Sequence, residues 1–200
     1  MAHASACYRV RTTVNTLNLP NLLTLGRLLS VPVTVWLISD GRMLAAFWLF
    51  VAAGVSDALD GLLARLFNAR TLLGTYLDPL ADKALLVSIY VALGWQGELE
   101  SWLVIMVVFR DVFIIGGVLL MYVVTDRAAD RPIFISKVNT AMQLVLASVV
   151  LAHLGFGLGL SLVIALLTYL VALTTLASGI AYLAVWWSRI AQSAKVGDRP

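Results

Sequence analysis

Between Asp57 and Asp82 the chain reads D-A-L-D-G-L-L-A-R, then eight residues, then G-T-Y-L-D-P-L-A-D, placing four carboxylates in two otherwise apolar segments. At membrane depth an ionisable side chain costs about 2.5–3.5 kcal/mol on insertion scales, so such groups face a cavity or a partner and mark a functional site. Carboxylate oxygens are preferred ligands of hard divalent cations such as Mg2+, which commonly share their coordination with substrate phosphates. Four acids suit a pair of such ions.

The spacing defines two helical faces. Asp57, Asp60, Gly61 and Ala64 fall within about a third of a helix circumference, with Arg65 at its edge. Gly74, Asp78 and Asp82 recur at four-residue steps, drifting by only about 40° each. A short polar connection from Arg65 to Thr71 predicts an antiparallel hairpin in which these faces meet. Asp60 precedes Asn68 by eight residues and Asp78 follows Arg70 by eight, about 12 Å of helix in each case, so the acids are expected at similar depth. Lys137, near the start of the fifth apolar segment, is expected to line the same cleft. Four carboxylates and a diphosphate carry six negative charges, and two divalent cations with Arg65 and Lys137 carry six positive ones. Gly61, Ala64 and Gly74 leave room for a ligand to approach the helix backbones, a property they share with ordinary close helix packing. Pro79 removes a helical hydrogen bond beside Asp78, which either aims that acid or only kinks the segment.

The elements that position these residues are membrane spans. The chain has 200 residues, 61% hydrophobic and 12% charged, with a mean hydropathy of +0.94. That composition excludes a soluble globule of this size, and a span needs roughly 20 apolar residues. Six such stretches occur, at about 20–39, 43–66, 72–95, 101–124, 134–154 and 160–187. Arg9, Arg11, Arg65, Arg70, Arg127, Arg131, Arg189, Lys195 and Arg199 lie at one set of ends, against Arg42 alone in the opposite joints, so both termini are expected in the cytoplasm. Trp36, Trp48, Trp95 and Trp102 mark the outer joints, and Trp186 with Trp187 the inner end of the last span. The fold class predicted is therefore all-α and integral to the membrane: six transmembrane helices with a short N-terminal interfacial helix. Residues 1–19 read as a cytoplasmic segment, 20–188 as the membrane domain and 189–200 as a solvated tail. N-L-P-N-L-L-T-L-G-R, from Asn18, fits either a helix along the interface that turns inward near Pro32 or an ordinary span with a snorkelling Arg27. Cys7 is the only cysteine and points to no disulfide or thiolate site, and no removable secretory signal is expected.

Written as D-x-x-D-G-x-x-A-R, eight residues, G-x-x-x-D-x-x-x-D, residues Asp57, Asp60, Gly61, Ala64, Arg65, Gly74, Asp78 and Asp82 match in full the signature of the CDP-alcohol phosphotransferases, and the chain resembles that family over nearly its whole length. The resemblance implies transfer of a phosphatidyl group from CDP-diacylglycerol to an alcohol, with release of CMP and two Mg2+ or Mn2+ ions held by Asp57, Asp60, Asp78 and Asp82. It further implies Asp82 as the acceptor of the hydroxyl proton, and Gly61, Ala64, Arg65 and Gly74 around the CDP group. A homodimer is also implied.

The stretch from Arg131 to Leu146, R-P-I-F-I-S-K-V-N-T-A-M-Q-L-V-L, and F-R-D-V from Phe109 look most like CMP-forming cardiolipin synthases, while the N-L-P-N opening is shared with phosphatidylglycerophosphate synthases. The expected acceptor is phosphatidylglycerol, giving cardiolipin, with glycerol 3-phosphate as the alternative. Lys137, Ser136 and Arg110 are the expected acceptor-binding residues, although Arg110 beside Asp111 also reads as a structural ion pair. Asn139, Thr140 and Gln143 continue the polar stripe, and His153 lies too far out for chemistry. A cation or proton transporter is the distant alternative, disfavoured by the scarcity of ionisable groups in the outer halves. The expected location is a bacterial inner membrane with the site facing the cytoplasm, the mitochondrial inner membrane being second, and no nucleic acid is expected as a partner.

Overall fold

A computed structural model describes the backbone of residues 19–67, 72–125 and 134–197, and side chains over 25–56, 81, 83–117 and 134–187. Every element in it is an α-helix: α1 Leu19–Ser39, α2 Met43–Phe67, α3 Leu72–Trp95, α4 Ser101–Thr125, α5 Phe134–Phe156 and α6 Ser161–Gly197. These agree closely with the six apolar runs. The helices end where apolar sequence gives way to a glycine-bearing joint. Gly41, Gly97 and Gly157 take φ of 75°, 79° and 67°, the left-handed conformation that ends a helix and lets late amides recover its last carbonyls. Arg42 N thus donates to Leu37 O at 2.9 Å, Glu98 N to Leu93 O at 3.0 Å and Leu158 N to His153 O at 3.1 Å. All three turns lie at one end of the bundle, remote from the α2–α3 connection.

Two expectations at the chain ends change. Leu19–Ser39 is one continuous helix through Pro32 rather than an interfacial helix followed by a span. Proline withdraws one amide from the helix, while the Ser30 hydroxyl donates to Arg27 O at 2.6 Å and that of Thr34 to Ser30 O at 2.8 Å on the neighbouring turns. At the other terminus, α6 stays helical through Gly197, so the backbone after Trp187 is not an irregular tail.

The acid-bearing faces expected to meet in an α2–α3 hairpin lie outside the described side chains. Among the described residues α2 and α3 make no close approach to each other; α1 and α5 each touch both, α4 touches α3 and α6, and α5 touches α6. A continuous core joins Ile38, Phe50, Ile89, Leu103, Leu146 and Val171, one from each helix. Outside it, Trp95 is 90% exposed, Phe134 79% and Leu162 73%. Apolar exposure on this scale calls for an apolar surrounding. Among the described residues, Phe134–Phe156 and Ser161–Trp187 are long and apolar enough to cross a membrane.

Where lipid surrounds a bundle, helices gain little from hiding apolar surface and depend on close packing. Gly155 provides it between α5 and α2, because a Cβ there would stand 2.9 Å from Leu44 Cα. Gly117 gives room to the Trp186 indole, which also meets the Phe113 ring at 5.2 Å. Since backbone cannot yield as a side-chain tip does, Gly155→Ala is expected to cost about 1–3 kcal/mol. Thermal unfolding in detergent, compared with Gly159→Ala where a Cβ meets open space, measures it.

Candidate active site

The acid motif lies on two helices. Asp57, Asp60, Gly61, Ala64 and Arg65 belong to α2, and Gly74, Asp78 and Asp82 to α3, whose helix continues through Pro79. The side chains of these eight residues lie outside the described ones, so backbone placement is what the structure contributes here. Asp60 is seven residues from the end of α2 and Asp78 six from the start of α3, about 10 Å along each helix. The acids therefore occur at matching heights next to the same connection. No group of three or more metal-ligating side chains occurs among the described residues.

Beyond the acids, α3 runs into a buried polar network. Lys83 donates to Asp111 Oδ1 at 3.1 Å, and Arg110 Nη1 reaches the same oxygen at 2.5 Å. Arg110 Nη2 donates to Ser136 Oγ at 2.6 Å and to Ser178 Oγ at 2.5 Å. Arg110 is 4% exposed and Asp111 3%. A charge so enclosed persists only when paired and hydrogen-bonded, and this network ties α3, α4, α5 and α6 at one level. Of the three residues expected at the acceptor, Arg110 and Ser136 are thus bonded to one another, and Lys137 is exposed near the start of α5.

The polar stripe of α5 divides between two neighbours. Asn139 Oδ1 accepts from Thr174 and Thr175 of α6, both at 2.9 Å, while the Gln143 carbonyl accepts from Tyr90 of α3 at 3.0 Å. The Thr140 hydroxyl donates back to Ser136 O at 3.1 Å. The amide atoms of the Gln143 side chain, buried at 0% exposure, have no hydrogen-bond partner among the described residues. His153 lies at the far end of the bundle, its Nδ1 against Leu158 O, in a cavity of about 420 Å³ that Glu98, Glu100, Trp102 and Tyr169 also line.

Sequence reading missed two features. Lys83 and Asp111 are 28 residues apart on different helices, and no local pattern announces their pairing. Arg27 does not snorkel: it is 5% exposed. Its spacing of seven from Thr34 and eleven from Ile38, both at 0% exposure, places the three within about 20° of one line along α1. That periodicity was available to find it.

Comparison with known proteins gives the same direction as the motif. A family model described as CDP-alcohol phosphatidyltransferase matches residues 17–188. The chain belongs to this family. A chloroplastic CDP-diacylglycerol–glycerol-3-phosphate 3-phosphatidyltransferase 1 of Oryza sativa subsp. japonica is 39% identical over 184 residues, covering 83% of this chain and 56% of its own length. A CMP-forming cardiolipin synthase of Homo sapiens is 36% identical over 184 residues, covering 84% of this chain and 61% of its own. A probable phosphatidylglycerophosphate synthase of Mycobacterium tuberculosis is 30% identical over 173 residues, with 84% and 80% covered. The chain accordingly spans 56% and 61% of the lengths of the rice and human relatives.

The network around Asp111 yields a stability test. Asp111→Ala strands Arg110 and Lys83 and is expected to cost about 3–5 kcal/mol, whereas the pair Arg110→Met with Asp111→Leu is expected to recover most of that loss. Unfolding midpoints in one detergent decide it.

Proposed function

We propose that this protein transfers a phosphatidyl group from CDP-diacylglycerol to an alcohol and releases CMP, in phospholipid biosynthesis. The observation that carries the reading is the complete D-x-x-D-G-x-x-A-R…G-x-x-x-D-x-x-x-D motif, split between α2 and α3 at matching heights beside one connection. The donor set of four carboxylates fits hard divalent cations, and in this proposal Asp57, Asp60, Asp78 and Asp82 hold two Mg2+ or Mn2+ ions. When bound, such ions neutralise phosphate charge and stabilise the attacking and leaving oxygens. Gly61, Ala64 and Gly74 give the CDP group access to the helix backbones, and Arg65 offers a guanidinium fork to its phosphates. Asp82 takes the proton from the attacking hydroxyl. The protein's remaining task is alignment, which dominates catalysis of phosphoryl transfer.

The acceptor in this proposal is phosphatidylglycerol, giving cardiolipin, supported by the Arg131–Leu146 and F-R-D-V stretches and by the human relative. Glycerol 3-phosphate is a second reading, favoured by the printed activities of the rice and mycobacterial relatives. Lys137 is the acceptor-binding cation open to solvent; Ser136 and Arg110 back it from the network that binds them together. All six helices cross the membrane in this reading, the basic ends face the cytoplasm, residues 20–188 form the membrane domain, and the protein works as a homodimer in a bacterial inner membrane.

Purified protein given CDP-diacylglycerol, Mg2+ or Mn2+, and either phosphatidylglycerol or glycerol 3-phosphate is expected to release CMP and form cardiolipin with the first. Product lipid identified by mass spectrometry separates the acceptors. Chelation or Asp78→Asn is expected to lower the rate at least about 100-fold, on the scale of losing one transition-state electrostatic contact. Full activity under either change would remove the metal-ligand assignment. Asp82→Asn is expected to keep donor binding while losing turnover; an unchanged kcat would remove Asp82 from the base role.

A further inference from the structure

Balancing the six negative charges of the site takes two monovalent cations beside the two divalent ones, and the structure bears on which side chains supply them. Lys137 is exposed, so an ammonium there is worth little at depth. Lys83 and Arg110 both turn to Asp111, at 3.1 and 2.5 Å. Arg27 is differently placed. It is 5% exposed on the one side of α1 that also carries Thr34 and the core residue Ile38, and α1 is a helix that touches both α2 and α3. Counted from the end of the bundle that carries Gly41 and Gly97, Arg27 stands twelve residues from the end of α1, about 18 Å along it. Asp57 stands fourteen residues from the start of α2 and Asp82 thirteen from the end of α3, about 20 Å in each case. A guanidinium is therefore enclosed at the height of the acids, on a helix packed against both acid-bearing ones.

We infer that Arg27 is a member of the site, its guanidinium binding the phosphate of the nucleotide diphosphate that is transferred. The inference rests on the functional reading above and deepens it. Arg65 lies two residues from the end of α2, and Arg27 stands further in on α1, at the level of Asp57 and Asp82. This order gives Arg65 to the nucleotide side of the diphosphate and Arg27 to the side on which the acids work. Arg27 is engaged in the resting protein, so binding exchanges one partner for another rather than filling an idle group. Charge on a transferring phosphoryl group is stabilised by such a fork, because two parallel N–H donors meet two phosphate oxygens.

The test uses the full chain in detergent with Mn2+, titrated with CDP and separately with CMP by calorimetry, alongside Arg27→Gln and Arg27→Lys. Loss of one charge-assisted contact predicts a fall in CDP affinity of about 10- to 100-fold in Arg27→Gln, with CMP affinity held within threefold. Arg27→Lys, which keeps the charge without the fork, is expected between wild type and Arg27→Gln, and it carries the test if Arg27→Gln does not fold. Equal CDP affinity in all three proteins, or a parallel fall for CDP and CMP, overturns the assignment of Arg27 while leaving the functional reading intact. Wild-type protein that binds neither nucleotide overturns both.

Discussion

A charge enclosed among apolar helices must find its counter-charge there, and this requirement organises the bundle. Arg110 and Asp111, adjacent in sequence and both almost fully enclosed, meet it at one level; Lys83, Ser136 and Ser178 complete the arrangement from three other helices. The cost of removing ions from water is several kcal/mol each even after relaxation. Such a network is an expensive way to gain stability and a specific way to set register, since sliding any of the four helices by one turn would break it. Asp82, the residue before Lys83 in the chain, inherits that register. The acid motif is in this sense anchored from its neighbour.

Helix order follows from the same economy. Small residues and tight glycine-terminated turns bring α1 to α2, α3 to α4 and α5 to α6, while α1 and α5 fill the spaces on either side of α2 and α3. The acid-bearing helices are consequently held by common neighbours rather than by each other over the described residues.

Much of this was legible in the sequence, for identifiable reasons. Helix limits followed from apolar runs about as long as a bilayer is thick, interrupted by joints at Gly41, Gly97 and Gly157 whose left-handed backbone no helix interior tolerates. Family membership was legible because the carboxylates, costly in such runs, keep the spacing of its signature. What remained hidden depends on which helices touch. The joining of Lys83 to Asp111 and of Tyr90 to the Gln143 carbonyl arises from contacts between distant segments, which periodicity along one helix does not encode. Arg27 falls between the two cases: its burial follows its seven- and eleven-residue spacings, but its two helical neighbours do not.

The length of α6 has a mechanical outcome. Its apolar stretch ends at Trp187, yet the helix runs on to Gly197, ten residues and about 15 Å further. A helix that outlasts its greasy portion is a stiff mast, its last turns lying beyond that portion on the side of the α2–α3 connection. A reporter fused behind Gly197 would ride on that mast at a set distance from the chemistry, making it a natural mount for distance measurements.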